Sequence, residues 1–310
     1  MAHIAVVGTG RVGSALAYTL AFQHWVRCLT LTDINEKLAR MTAEEICHAM
    51  AMNGYDTEIQ ADGKASEIEG ADIIVICAGT ARTPGMSRRD LAAKNAGIVK
   101  QIVVDTLDNN SHAKYFVITN PVDAMATLAE HVAEGRAEVI GTGTCLETVR
   151  FRTVLARELK VQARRIECYV GGEHGESSVP IWSMVSIEGI PLLDYLRAHK
   201  IALDFKKCEE YVRNISVAVI EGTGGTRWGP AGAFTEVLHG LVCNTGRVLA
   251  FSRSRVFEGI PIPVHVTVPG KIGTQNSFDI WSYITAEERE KIASAAHDIY
   301  ETYRKIEGTV

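Results

Sequence analysis

Residues 3–13 read His-Ile-Ala-Val-Val-Gly-Thr-Gly-Arg-Val-Gly. The largely apolar run at residues 3–7 predicts a strand that is buried on both faces. It leads into Gly8-Thr-Gly10-Arg-Val-Gly13, a G-x-G-x-x-G pattern, and a helix is predicted from Arg11. In such a unit the first glycine permits a tight turn and the second lets the main chain approach a diphosphate. The third lets the helix pack closely on the strand, so the pattern predicts a dinucleotide-binding turn.

The residues around this turn indicate which dinucleotide is bound. The start of the predicted helix presents unpaired N–H groups and the positive end of its dipole to the phosphates. Asp33 ends the second predicted strand, twenty residues after Gly13, where a carboxylate can accept hydrogen bonds from ribose hydroxyls. A 2′-phosphate there would meet a like charge, and neither of the next two residues supplies a cation. We therefore predict NAD rather than NADP. The predicted contacts from this region are Gly8, Gly10, Arg11, Val12, Gly13 and Asp33.

The first half of the chain alternates short apolar runs with helical patterns. Further buried strands are predicted at residues 28–32, 73–77, 115–119 and 139–140. Because such strands separated by helices form parallel sheets covered on both faces, we predict an α/β fold, a Rossmann doubly wound parallel sheet, for residues 1–142. In the second half of the chain the sequence pattern predicts long helices, and hairpin-like strands at residues 248–256 and 262–268. We predict an α+β substrate and catalytic domain for residues 143–310.

Composition excludes several classes of partner. The 310 residues are 46% hydrophobic and 22% charged, so the chain can bury a sizeable core. A net charge of −5 offers no overall attraction to nucleic acid or to an anionic membrane. The seven cysteines are scattered and include no CxxC pair, so we predict no metal site. Their spacing also favours free thiols and therefore a reducing compartment. Because the first apolar run enters the glycine turn within eight residues, we predict no signal peptide and a cytoplasmic protein.

Residues 171–175, Gly-Gly-Glu-His-Gly, place His174 between glycines. Glycine lets main chain and ligand come close, and histidine titrates near neutral pH, which suits a proton donor and acceptor. Glu147 and Arg150 are three apart in a predicted helix and share one face. Glu147 could accept a hydrogen bond from His174, and Arg150 could clamp a carboxylate with two hydrogen bonds. Alternatively, Thr144-Cys-Leu-Glu147 is a capping box, in which Glu147 would bond the helix start.

A second candidate segment is the loop at residues 81–88, Ala-Arg-Thr-Pro-Gly-Met-Ser-Arg. It directly follows a predicted parallel strand, and ligands bind at the carboxyl edge of such sheets. Arg82 and Arg88 are therefore candidates to bind or polarise a substrate in a site that the loop closes. The alternative is that both guanidinium groups are simply solvated.

Together these stretches resemble the lactate/malate dehydrogenase family over essentially the whole chain. The matching stretches are the glycine fingerprint, Ala78-Gly79, Pro84-Gly85-Met86-Ser87-Arg88, Thr119-Asn120-Pro121-Val122-Asp123, Gly172-Glu173-His174-Gly175 and Gly224-Gly225-Thr226. The resemblance implies hydride transfer between nicotinamide and the C2 carbon of a small 2-hydroxy acid. It also implies a homodimer or homotetramer and a cis bond before Pro121.

The resemblance also implies residue roles. His174 would be the acid and base, Arg88 would polarise the carbonyl, and Arg150 would grip the C1 carboxylate. Asn120 and Thr226 would line the substrate. Cofactor contacts would come from Asn95 and from the main chain of Ile118 and Asn120.

Two positions bear on the substrate and on efficiency. Six residues before Arg88, the family has glutamine in lactate enzymes and arginine in malate enzymes; Arg82 stands here. A dicarboxylate substrate is therefore implied, and the chain looks most like malate dehydrogenases of the lactate-dehydrogenase type. The usual partner of the histidine is aspartate, whereas Glu147 adds one methylene. The alternatives are an L-lactate dehydrogenase, a catalytically silent NAD-binding protein and, least favoured, an NAD-using glycosidase.

Overall fold

The computed structural model describes residues 1–80, 88–273 and 278–308, apart from the side chains of Asp62 and of residues 88–90. Six strands belong to the first half: β1 (Ala2–Val7), β2 (Val26–Thr32), β3 (Glu58–Asp62), β4 (Ile73–Ile76), β5 (Lys114–Val117) and β6 (Val139–Gly141). The helices described there are α1 (Arg11–Ala21), α2 (Glu36–Met50), α3 (Arg88–Leu107) and α4 (Val122–Ala133).

These six strands form a parallel sheet in the order β3-β2-β1-β4-β5-β6. The order reverses between β1 and β4, so their carboxyl ends flank the crevice where doubly wound sheets bind ligands. The predicted Rossmann sheet is confirmed. The predictions missed β3 and α4. As the edge strand, β3 has the polar sequence Glu-Ile-Gln-Ala-Asp, which lacks the continuous apolar run of its buried neighbours.

The second half contributes short strands and longer helices. Its strands are β7 (Ile166–Glu167), β8 (Val170–Gly172), β9 (Ser178–Pro180), β10 (Ser186–Ile187), β11 (Ile190–Pro191), β12 (Val248–Leu249), β13 (Ser252–Arg255), β14 (Val264–Thr267) and β15 (Gly270–Lys271). Its helices are α5 (Cys145–Leu159), α6 (Leu192–His199), α7 (Phe205–Thr223), α8 (Trp228–Cys243) and α9 (Ala286–Glu307). This mixture confirms the predicted α+β second part.

The large sheet continues across both parts of the chain. Beyond β6 it adds β13, β14, β8 and β9, all in antiparallel pairing. The predicted strand at residues 248–256 was wrong in extent. Residues 248–249 pair with β15 in a separate two-stranded sheet, and β13 pairs with β14. The division falls at Ala250 and Phe251, which are 2% and 3% exposed, and Phe251 packs into the core of the first half of the chain.

The last helix packs through one apolar stripe. Thr285 and Glu288 form a capping box at its start. Its buried residues include Ile292, Ala296, Ile299, Tyr303 and Ile306, which recur every three to four positions along one face. None of the helices in the described part of the chain combines the length and the hydropathy needed to cross a bilayer.

Candidate active site

The glycine turn between β1 and α1 needs its glycines for different reasons. Gly8 has φ +100°, and a Cβ there would lie 2.5 Å from the Ala78 nitrogen. A Cβ on Gly13 would overlap the Gly8 carbonyl oxygen. Gly10, in contrast, would meet no described atom within 4 Å, so its main chain is open to a ligand. No described side chain caps α1 at Gly10, which leaves the helix start free to receive a phosphate.

Asp33 follows the end of β2 beside this turn and is held in place by two main-chain N–H groups and one hydroxyl. Its Oδ2 accepts hydrogen bonds from Thr9 N at 2.8 Å and Thr9 Oγ1 at 3.2 Å, and its Oδ1 accepts one from Asn35 N at 2.9 Å. A carboxylate has about four acceptor positions, so capacity remains for ribose hydroxyls. The open Gly10 backbone and this fixed carboxylate fit a dinucleotide with an unmodified 2′-hydroxyl.

Arg11 extends from the turn to the second half of the chain. Its Nη1 donates a hydrogen bond to the Thr223 carbonyl oxygen at 3.0 Å, and its side chain packs against Gly224 and Gly225. The dinucleotide turn is thereby joined to the loop that carries Thr226. The predicted cofactor contact of Arg11 stays a prediction, and this second contact adds a link between the two halves.

Asn95 ties together the chain segments that follow β4 and β5. Its Oδ1 accepts a hydrogen bond from Thr80 N at 2.8 Å, and its Nδ2 donates one to the Asn120 carbonyl oxygen at 2.7 Å. The side chain is buried. The main-chain N–H of Ile118 donates a hydrogen bond to the carbonyl oxygen of Ile76, the last residue of β4. The Asn120–Pro121 bond is cis, which confirms the prediction. These bonds fix the edge on which the predicted cofactor contacts lie.

The structure brings His174, Glu147 and Arg150 into one chain of contacts. His174 Nδ1 lies 2.9 Å from Glu147 Oε2, and Arg150 Nη1 donates to Glu147 Oε1 at 3.0 Å. The capping-box alternative does not form: Thr144 Oγ1 makes no hydrogen bond to the helix start, and Thr144 N, which Glu147 would bond in a capping box, donates instead to Thr267 Oγ1 at 3.1 Å. The side chain of Glu147, one methylene longer than aspartate, reaches the imidazole. Because a carboxylate only accepts hydrogen bonds, Nδ1 is the ring nitrogen that carries the proton.

The protonation states of this pair follow from their burial and charges. Burial by itself would lower the pKa of His174, but the charge and hydrogen bond of Glu147, helped by Asp123, outweigh it and raise that pKa. Burial would likewise raise the pKa of Glu147, yet His174 and then Arg150 hold it below its usual value. The result is a carboxylate that stabilises an imidazolium, as a proton donor requires.

These residues open on a cleft of about 1150 Å³. Asn120, Arg150, His174 and Thr226 all line it, so the structure collects the predicted substrate residues that it describes. Arg82 lies outside the described residues. Arg88 begins α3, but its side chain is not among those described. Both arginine predictions therefore stay predictions.

Two acidic residues near His174 received no role from the sequence. Asp123 Oδ2 accepts a hydrogen bond from His174 N at 2.7 Å. Glu173 lines the cleft, and burial, with the charges of Asp123 and Asp298, raises its pKa to about 7. Both residues lie inside motifs that match the family, next to residues to which the resemblance gives a role. That position is the sequence signal that could have identified them.

Comparison with known families agrees with this geometry. Residues 2–141 match the lactate/malate dehydrogenase NAD binding domain, and residues 144–308 match the lactate/malate dehydrogenase alpha/beta C-terminal domain. This chain belongs to the lactate/malate dehydrogenase family. The predicted family and the predicted cofactor, NAD, are confirmed.

Individual members of the family are similar along their whole length. Malate dehydrogenase of Sulfolobus acidocaldarius is 33% identical over 98% of this chain and 96% of its own. L-lactate dehydrogenase of Thermus aquaticus is 32% identical over 94% of this chain and 96% of its own. Malate dehydrogenase from Archaeoglobus fulgidus in complex with NADH superposes with a TM-score of 0.86, at 32% identity, over 98% of this chain and 99% of that one. Malate and lactate enzymes are thus about equally similar to this oxidoreductase.

Proposed function

We propose that this protein is an NAD-dependent L-malate dehydrogenase, which interconverts L-malate and oxaloacetate. The observation that carries the proposal is the contact of His174 with the buried Glu147 carboxylate beside Arg150, in a cleft also lined by Asn120 and Thr226. A proton carrier next to a carboxylate-binding cation is the arrangement that oxidation of a 2-hydroxy acid requires. Bound NAD would supply the hydride acceptor.

His174 would move the proton. Because Nδ1 is engaged by Glu147, Nε2 is the nitrogen left to exchange a proton with the C2 oxygen of the substrate. In malate oxidation the neutral imidazole accepts the hydroxyl proton, and Glu147 stabilises the imidazolium that results. In oxaloacetate reduction the imidazolium returns the proton. General acid–base catalysis of this kind contributes about 10²–10⁴-fold.

Arg150 would hold the C1 carboxylate. One of its five N–H donors goes to Glu147, and the remaining donors can bind a substrate carboxylate in the forked geometry of a guanidinium. Asn120 and Thr226 would add polar contacts to the same substrate. The shared Glu147 carboxylate fixes Arg150 and His174 relative to each other, which limits the motion of both during the reaction.

Arg82 carries the choice of malate over lactate. We propose that it pairs with the C4 carboxylate, while Arg88 polarises the C2 carbonyl. Pyruvate lacks the second carboxylate and would leave the Arg82 guanidinium enclosed without a partner. An unmatched buried polar group costs about 1–3 kcal/mol, and a charged one more. Oxaloacetate is therefore the better substrate by at least about tenfold on this account.

A panel of two keto acids and two cofactors tests the proposal. We expect rapid oxidation of NADH with oxaloacetate, at least about tenfold lower kcat/KM with pyruvate, and weak activity with NADPH. Absorbance at the nicotinamide band measures all four combinations. Faster turnover of pyruvate would assign a lactate dehydrogenase instead. NADH binding without turnover of either keto acid would assign a catalytically silent protein.

We also propose a cytoplasmic homodimer or homotetramer. The support is the family membership together with exposed apolar side chains such as Val217, Ile220 and Trp228, which are 53–69% exposed in the single chain. Sedimentation equilibrium should give the mass of two or four chains, and the mass of one chain would contradict this assembly.

A further inference from the structure

Asp123 contacts the catalytic segment without contacting the imidazole ring. It lies in the first turn of α4, soon after the cis Asn120–Pro121 bond, and is only 2% exposed. Its Oδ2 accepts the main-chain N–H of His174 at 2.7 Å, a contact between residues 51 positions apart. The proposed reaction uses Glu147, Arg150 and His174 but gives this carboxylate no part.

The rest of the Asp123 carboxylate is incompletely hydrogen-bonded. Its Oδ1 is fully enclosed and makes no hydrogen bond of regular geometry within the described residues; the same holds for the Ser252 hydroxyl beside it. Burial raises the pKa of Asp123, while the His174 N–H, Ser252 and the charges of His174 and His265 oppose that rise. A buried charge with an unfilled acceptor is costly, and a neutral amide oxygen could accept the same N–H at a lower cost.

We propose that Asp123 is a positioning residue, which fixes the main chain at His174 and places a second negative charge near its imidazole. Glu147 supplies the first such charge from α5, and Asp123 supplies the second from α4. The two together would stabilise the imidazolium. This inference rests on the proposed role of His174 in proton transfer.

Other charges also face His174 and enter its titration. Burial lowers its pKa, Glu147 and Asp123 raise it, and Arg150 lowers it. Glu173, the preceding residue, has a pKa raised to about 7 by its burial and by the charges of Asp123 and, from α9, Asp298. A pH profile of turnover therefore combines the titrations of His174 and Glu173. A direct reading of the imidazole separates them.

The test is an NMR titration of the His174 ring in the cofactor-free protein, for wild type and Asp123→Asn. His174→Asn identifies the signal among the ten histidines. Asparagine keeps the shape and an acceptor for the His174 N–H but removes the charge. We expect the imidazole pKa to fall by at least about one unit, which corresponds to about 1.4 kcal/mol of lost charge–charge interaction. The low-pH limb of malate oxidation should move by a similar amount, with NADH affinity unchanged. An unchanged imidazole pKa would overturn the proposal.

A second measurement and a control variant keep the test decisive. In the wild type, the ¹³C chemical shift of the Asp123 carboxyl carbon reports whether this carboxyl is ionised while His174 titrates. If Asp123→Asn does not fold, an Asp123 carboxyl that stays protonated through that titration overturns the proposal. Glu288→Gln is the matched control, since Glu288 is 8% exposed and bonds Ser183 and Thr285. It should leave the His174 titration unchanged. The imidazole can be titrated whether or not malate is turned over, so failure of this inference is distinguishable from failure of the proposed function.

Discussion

The variant His174→Asn is expected to lower kcat for malate oxidation by about 10³-fold, while the affinity for NADH stays within a few-fold of wild type. Asparagine can still hydrogen-bond to Glu147 but cannot take up the proton released from the C2 hydroxyl. Steady-state kinetics and NADH fluorescence titration measure the two quantities. His48→Asn is the matched control, because the His48 side chain is 71% exposed on α2 and should affect neither.

The pH dependence gives the same prediction a second readout. Oxidation needs neutral His174 and reduction needs the imidazolium. Because the pKa of His174 is raised, kcat/KM for oxidation should fall as the pH drops below that raised value. For reduction, kcat/KM should fall as the pH rises above it. The His174→Asn variant should lose the part of this dependence that His174 contributes, along with its rate. Turnover that survives with the wild-type profile would show that another group carries the proton.

The second large effect is expected from Arg82→Gln, which should change the ratio of kcat/KM for oxaloacetate to that for pyruvate by about 10²-fold or more. Loss of a hydrogen bond between charged groups costs oxaloacetate about 1.5–3 kcal/mol. Removal of an unpaired guanidinium relieves a penalty of about 1–3 kcal/mol for pyruvate, so the two effects act on the ratio in the same direction. Initial rates over a concentration series of each keto acid measure the ratio.

Arg82→Lys is the control for this change. Lysine keeps the charge but lacks the planar fork, so oxaloacetate should lose part of its rate without a matching gain for pyruvate. If the ratio of kcat/KM for oxaloacetate to that for pyruvate is the same in Arg82→Gln and in wild type, Arg82 does not determine substrate specificity. The family assignment and the role of His174 would then still stand.

Much of the fold was predictable because its signals are local. Gly8 and Gly13 are required by the turn itself, and the continuous apolar strands identify a sheet covered on both faces. Edge strand β3 and helix α4 were missed. The first lacks an apolar run, and the second follows a cis proline in a segment that was interpreted only as a ligand-binding motif.

The candidate site was predictable in part. The motifs supplied His174 and Arg150, but two interpretations of Glu147 were left open. Both a helix cap and a histidine partner agree with the spacing of Thr144 and Glu147. The choice depends on where β14 passes, because Thr267 Oγ1 takes the main-chain N–H of Thr144 and leaves the Glu147 carboxylate to face His174. The sequence of the helix alone therefore does not decide between the two interpretations of Glu147.

The sequence alone determined the class of fold, the cofactor-binding turn and the types of residue that do the chemistry. These features depend on turn geometry and on the spacing of side chains, which involve only a few neighbouring residues. Only the tertiary structure decided which charges meet. Asp123 lies beside His174 because α4 and the segment after β8 converge at one edge of the sheet. Contacts of this kind join residues far apart in the chain, and their free energy depends on burial that no local pattern specifies.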